Sequence, residues 1–213
     1  MSSEAPLTTD IQQLLGLHPS SERLAAHIAH LSNLASKPET PVPEVKSYSD
    51  AVYFNYYPLG LSLLFKPVNG YKPKPGLKRE DLRDEDLVLD GIDLYHEPKP
   101  KQAPSSKSKS TYSTYPTNPF TLKLRPIEGK SRPDSLQVTH ESTGKDFVKV
   151  LGEPDRKGGG AGPSSGSIGI WCEWSKDGLM VEFGGDEARG PQAWERGKDA
   201  IWKVITIFPP NTE

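Results

Sequence analysis

The chain has 213 residues, enough for one sizeable domain or one domain with tails, and 34% apolar content with 21 prolines implies that part of it stays unpacked. A formal charge of −2, from 26 basic and 28 acidic residues, gives no global attraction to nucleic acid or an anionic membrane, so such partners would need a local patch. The single cysteine, Cys172, excludes an intramolecular disulfide and a cysteine-based zinc framework, and it suits a reducing compartment.

Residues 1–44 read as a helical N-terminal arm and a proline-rich linker. Thr8 or Thr9 precedes a short helical turn to Leu15, ended by Gly16, and Pro19 opens a second segment with Leu24, Ile28, Leu31 and Leu34 at helical spacing. That apolar stripe either docks on the domain or enters a partner's groove. His27 and His30 lie three apart without a third ligand and read as ordinary surface. No apolar run reaches the about 20 residues of a membrane helix, and Met1 to Leu15 lacks the basic start and apolar stretch of a secretory signal. The expected address is the cytoplasm, with the nucleus open.

The domain proper is expected from about Val45 to Pro210. Asp50–Tyr57 and Gly60–Phe65 read as paired strands, and their clustered aromatics, with no Arg or Lys interleaved, point to core packing rather than to base stacking. Residues 66–86 form a charged loop of mixed sign. Leu87–Tyr95 alternates as a strand, and a bulge at Gly91 would bring its apolar positions into register, with Asp90 and Asp93 near a sheet edge. Residues 97–119, rich in Pro, Ser, Thr and Lys, read as a disordered insert, either a phosphorylation-sensitive loop or a tolerated insertion. Phe120–Leu124 and Leu136–Thr139 are two further short strands.

A helix follows from Ser142 or Thr143 as cap to Leu151, with Phe147, Val150 and Leu151 on one face, Gly152 as its stop and Pro154 beyond. Arg156–Ser167 is glycine-rich and reads as a mobile loop. Arg156, Lys157, Gly158, Gly159 and Gly160 form a candidate anion-binding loop, although it lacks the P-loop ending and follows a helix instead of a strand. Ile168–Trp174 and Leu179–Phe183 form a hairpin whose Ile168, Ile170, Cys172, Trp174, Leu179, Val181 and Phe183 face the core. A two-residue Asp177-Gly178 turn sets Glu173 opposite Glu182, which is unfavourable unless they share a cation or proton or stand in solvent; a four-residue turn sets Glu173 opposite Met180 instead. Trp194–Lys198 reads as one irregular helical turn. Ile201–Phe208, apolar on both alternate sets, reads as a central or doubly covered strand.

The run Thr143–Pro154 followed by a hairpin resembles the helix, Leu-Gly-x-Pro and hairpin unit of small helix-plus-sheet binding modules such as the β-lactamase-inhibitor-like proteins and the small lipoprotein of the outer-membrane assembly machine. A phagosome-assembly-factor family is similar in pairing a Gly-Leu-Ser strand, here Gly60-Leu61-Ser62, with later units of this kind. The chain as a whole resembles a fungal cytosolic protein family. These resemblances imply binding through sheet faces and loops, and fold analogy transfers function poorly.

The expected fold is thus α+β, with a mostly antiparallel sheet, one packed helix and the helical arm. No serine-hydrolase elbow or calcium-loop spacing is present, and the sequence supports no cofactor or metal and no catalytic residue. The expected function is a non-catalytic intracellular protein-interaction module whose exposed hairpin face is Trp171, Glu173, Met180 and Glu182, with another protein as partner and neither membrane nor nucleic acid. The alternative is a small-ligand or metal-dependent hydrolytic site between the 156–167 loop and the acidic residues of 182–187.

Overall fold

Strand-period patterns dominate the chain, and the computed structural model, which describes residues 10–97, 112–127, 131–160 and 169–211, assembles them into an α+β architecture on a large antiparallel sheet. A short 3-10 turn, Ile11–Leu14, is capped by the Asp10 carboxylate, which accepts from the Gln12 amide at 3.1 Å. Helix α1, Glu22–Leu34, buries Leu24, Ile28 and Leu31 in the main apolar cluster. His27 is buried on this helix rather than on its surface, one position before Ile28 on the inward stripe.

Strands β1 (Glu44–Ser47), β2 (Val52–Tyr56), β3 (Leu61–Pro67) and β4 (Leu87–Tyr95) form an antiparallel meander. The β3–β4 register shifts where Leu64 pairs with Gly91 and Phe65 with Leu89, so Asp90 is the extra residue of a bulge. The bulge keeps Leu87, Leu89, Ile92 and Leu94 all buried. Beside it, Leu89 exchanges backbone hydrogen bonds with Gly16 and Leu17, which ties the N-terminal segment to β4.

Strands β5 (Phe120–Lys123) and β6 (Ser135–Val138) make a separate two-stranded sheet. Helix α2, Gly144–Leu151, starts with the Asp146 carboxylate accepting from the Thr143 amide and hydroxyl, each at 2.8 Å, and these bonds hold that carboxyl below its usual range. Phe147 and Leu151 are buried, and Gly152 at φ +82° ends the helix. Strands β7 (Arg156–Gly158), β8 (Trp171–Trp174), β9 (Leu179–Phe183) and β10 (Trp202–Ile207) form a second meander, with the short helix α3 (Ala193–Arg196) before its last strand. β4 pairs antiparallel with β10, joining the two meanders into one eight-stranded sheet in the order β1-β2-β3-β4-β10-β9-β8-β7.

Residues paired directly across antiparallel strands share a face. Val52, Phe54, Leu63, Ile92, Ile207, Leu179 and Trp174 belong to the face that packs on the apolar core. Residues 98–111 of the predicted insert lie outside the described residues, whereas Tyr112 onward is placed on the domain. Tyr115 is buried and Tyr112 stacks on Tyr95, so residues 112–119, expected to be disordered with the rest of the insert, pack on the domain instead. No helix among the described residues is long and apolar enough to cross a membrane.

Candidate functional site

The second face of the sheet carries one row of paired positions through all eight strands: Arg156, Glu173, Met180, Thr206, Asp93, Ser62, Asn55 and Glu44. Its neighbours include Trp171, Glu182, Val204 and Tyr95, again in register. Where the two meanders meet, the row is polar and half-buried. The Thr206 hydroxyl donates to Asp93 at 2.7 Å, and the Asn55 side-chain carbonyl accepts from the Ser62 hydroxyl at 2.9 Å and the Tyr112 hydroxyl at 2.7 Å.

Around these groups Tyr53, Tyr57, Tyr95 and Tyr112 line an open cleft of about 680 Å³, with Lys46 and Asp50 at its rim. Tyr112 stacks on Tyr95 with ring centres 3.6 Å apart and meets Tyr57 at 4.5 Å. Burial pushes the Asp93 carboxyl above its ordinary range, and the Thr206 hydrogen bond opposes that only in part. Burial, with Asp93 nearby, likewise raises the Tyr53 and Tyr95 hydroxyls, keeping them protonated donors. A half-buried carboxylate among tyrosine rings favours a cationic neighbour, because carboxylate and aromatic ring attract the same charge. Asp93 is central in the sheet and not near an edge as expected, since β4 is flanked by β3 and β10.

The hairpin residues stand on this same face, nearer its β7 edge. The turn has four residues, Ser175–Gly178, so Glu173 pairs with Met180 and Trp171 with Glu182, and the two glutamates do not oppose each other. The longer turn is held from outside the hairpin. The Asp177 carboxylate is drawn to the Arg132 guanidinium at 2.7 and 2.8 Å, and the Gly178 carbonyl accepts from the Phe208 amide at 2.9 Å. Each glutamate has its own cation: Arg156 lies 3.4 Å from Glu173, and Lys203 lies 2.8 Å from Glu182. Trp171 is half-buried rather than fully exposed, its indole lying so close over Gly158 that a Cβ there would sit 2.7 Å from the ring.

The predicted anion loop begins as an edge strand. Arg156 pairs with Glu173 and Lys157 with Cys172, so the two cations point to opposite faces and do not converge on one anion. Gly159 and Gly160 both hold φ +82°, and a Cβ on Gly159 would lie 2.2 Å from the Gly169 carbonyl oxygen. These glycines allow close passage past Gly169 and Ile170; residues 161–168 lie outside the described residues. Of the acidic residues of 182–187, Glu182 is on the open face and Asp186 starts a separate 3-10 turn.

Cys172 is buried, which pushes its thiol up to about 11 and keeps it protonated. Among the described residues no three His, Cys, Asp or Glu side chains gather as a metal site. Compared with family models, curated proteins and solved structures, the chain gives no match.

The cleft around Asp93 was not legible from sequence. Its signal was the alternation that leaves Asp93 and Tyr95 facing away from Ile92 and Leu94, but the partners Asn55, Ser62, Tyr112 and Thr206 come from four separate segments.

Proposed function

We propose that this chain is a non-catalytic protein-interaction module, acting in the cytoplasm or nucleus, that takes a partner protein on the open face of its sheet. The cleft around Asp93 receives a basic side chain of the partner. Trp171, Met180 and the salt-bridged Glu173 and Glu182 form the flank of the same surface, with the helical N-terminal arm as an accessory.

The observation supporting this most is the Asp93 carboxylate, held half-buried at the sheet centre by Thr206 and ringed by tyrosines, on a row that runs without interruption to the hairpin. A charge placed there raises the cost of folding unless something outside the fold pairs with it. Aromatic and cationic anchors seated in desolvated clefts are the contacts that dominate protein interfaces. A free, buried cysteine suits a reducing compartment.

The test is panning of a random-peptide library on the purified protein. Enriched peptides should carry Arg or Lys, and losing one partner of a desolvated charge pair costs about 2–5 kcal/mol, so Asp93→Asn should weaken them by roughly thirtyfold or more. Trp171→Ala should weaken them more modestly. Peptides without basic residues, or equal binding by both variants, would overturn the proposal.

A further inference from the structure

On the other side of the sheet, a second cavity of about 430 Å³, lined by residues of α2, β7, β8 and β9, opens to solvent. Its floor is apolar and belongs to the core: Ile170, Cys172 and Phe183 are all buried. Val148 of α2 and the exposed Trp194 of α3 form the walls. Close backbone approaches fix the far end. A Cβ on Gly144 would lie 2.4 Å from the Gly197 carbonyl oxygen, and one on Gly197 would lie 2.1 Å from the Ile170 side chain.

The mouth is cationic in a chain whose net charge is negative. Lys145 and Lys149, one turn apart on α2, Lys157 on β7 and Lys198 after α3 line it, against Glu153 as the acid in the lining. Among the described residues none of these four lysines forms an ion pair, and the Lys157 ammonium sits 5.6 Å from the centre of the Trp194 ring. Four ammonium groups around one opening repel one another, and an anion in the mouth relieves that repulsion. The volume is in the range of small-molecule sites, roughly 300–1,000 Å³.

We infer that this cavity binds a small amphipathic anion, a carboxylate or phosphate monoester with an aliphatic or aromatic body, its head among Lys145, Lys149, Lys157 and Lys198 and its body on Ile170, Cys172, Phe183 and Trp194. The site is separate from the open sheet face, so each stands or falls alone.

The probes are sodium octanoate, octyl phosphate and, as the charge-reversed control, octylamine, titrated into the full chain. Binding is read by Trp194 fluorescence, assigned with Trp194→Phe, and by the rate at which N-ethylmaleimide alkylates Cys172. Saturable fluorescence change and slowed alkylation are expected with at least one of the two anions, and which one responds separates a carboxylate from a phosphate ligand. The double variant Lys149→Glu/Lys157→Glu, both exposed positions, should keep the unfolding temperature and lose at least tenfold in affinity for the anion. No saturable response to either anion, an octylamine response of the same strength, or undiminished anion binding by the folded double variant would overturn the inference.

Discussion

Asp177→Ala tests whether the hairpin register is imposed from outside the hairpin. Arg132 and Asp177 are 8% and 2% exposed in their side chains, and they share two charge-assisted hydrogen bonds at 2.7 and 2.8 Å, while the Arg125 amide adds a third contact to the carboxylate at 3.2 Å. Truncating Asp177 leaves the guanidinium buried and unpaired, a cost of about 3–5 kcal/mol. For a chain of this length each kcal/mol moves the midpoint by about 2–4 °C, so the expected fall is roughly 6–20 °C. Thermal and urea unfolding followed by far-UV circular dichroism read it directly. Arg132→Met combined with Asp177→Ala should be more stable than Asp177→Ala alone, because no charge is then stranded. A loss below about 1 kcal/mol in the single variant would be the size of an exposed pair, and a double variant less stable than the single would show no stranded charge; either result would refute the argument.

Two further outcomes follow from buried groups. Burial, with His30 and His140 as secondary causes, lowers His27 and His96 to about 4, and His96 stacks on His140 and lies tilted against Trp202, with ring centres 4.9 Å from each. The unfolded chain, with histidines near about 6.5, then binds more protons than the folded one, so this contribution is complete above that pH and is lost as pH falls towards 4. His27→Gln and His96→Gln should each flatten the fall of unfolding temperature between those pH values, and an unchanged slope in both would count against it. Gly60→Ala should cost more than Gly70→Ala. Both have positive φ, +56° and +76°, but a Cβ on Gly60 would lie 2.2 Å from the Ser113 carbonyl oxygen whereas Gly70 has open space, so the first adds a clash with backbone to about 1 kcal/mol of strain. Equal unfolding temperatures would refute that difference.

What could be read from sequence was local. Leu87, Leu89, Ile92 and Leu94 announced a strand that needs a bulge, and the structure has one at Asp90, one position before the expected Gly91. Ser142 or Thr143 as cap, Phe147, Val150 and Leu151 on one face and Gly152 as stop announced α2, because capping and helical spacing act within a dozen residues. The edge strands were missed. Glu44-Val45-Lys46-Ser47 and Arg156-Lys157-Gly158 are short and carry few apolar side chains, so Glu44 reads as linker, 45–47 as an unassigned start of the domain and 156–158 as loop. Turn length also escaped, because Asp177-Gly178 is a sound two-residue turn signal until Arg132 and Phe208 are in place. The centre of the open face was hidden for the same reason: Thr206 meets Asp93 across 113 positions of sequence.

That meeting point bears on function as well as on topology. β4 and β10 are the last strands of two meanders, and their pairing is what makes one sheet out of two. On the core face the seam is filled by Ile92 against Ile207 and Leu94 against Ile205, the apolar pairs that burial favours. On the other face the seam carries Asp93 against Thr206, flanked by Ser62. If joining the meanders were the only requirement, β-branched apolar pairs would serve both faces, since a desolvated carboxylate works against folding. A local rule broken at the centre of a sheet, with the Thr206 hydroxyl donating to Asp93 and the Asn55 side-chain carbonyl accepting from Ser62 beside it, is where a binding site is expected rather than a packing need. In the function proposed above, the seam has two tasks on its two faces, cohesion through Ile92 and Ile207, and recognition through Asp93.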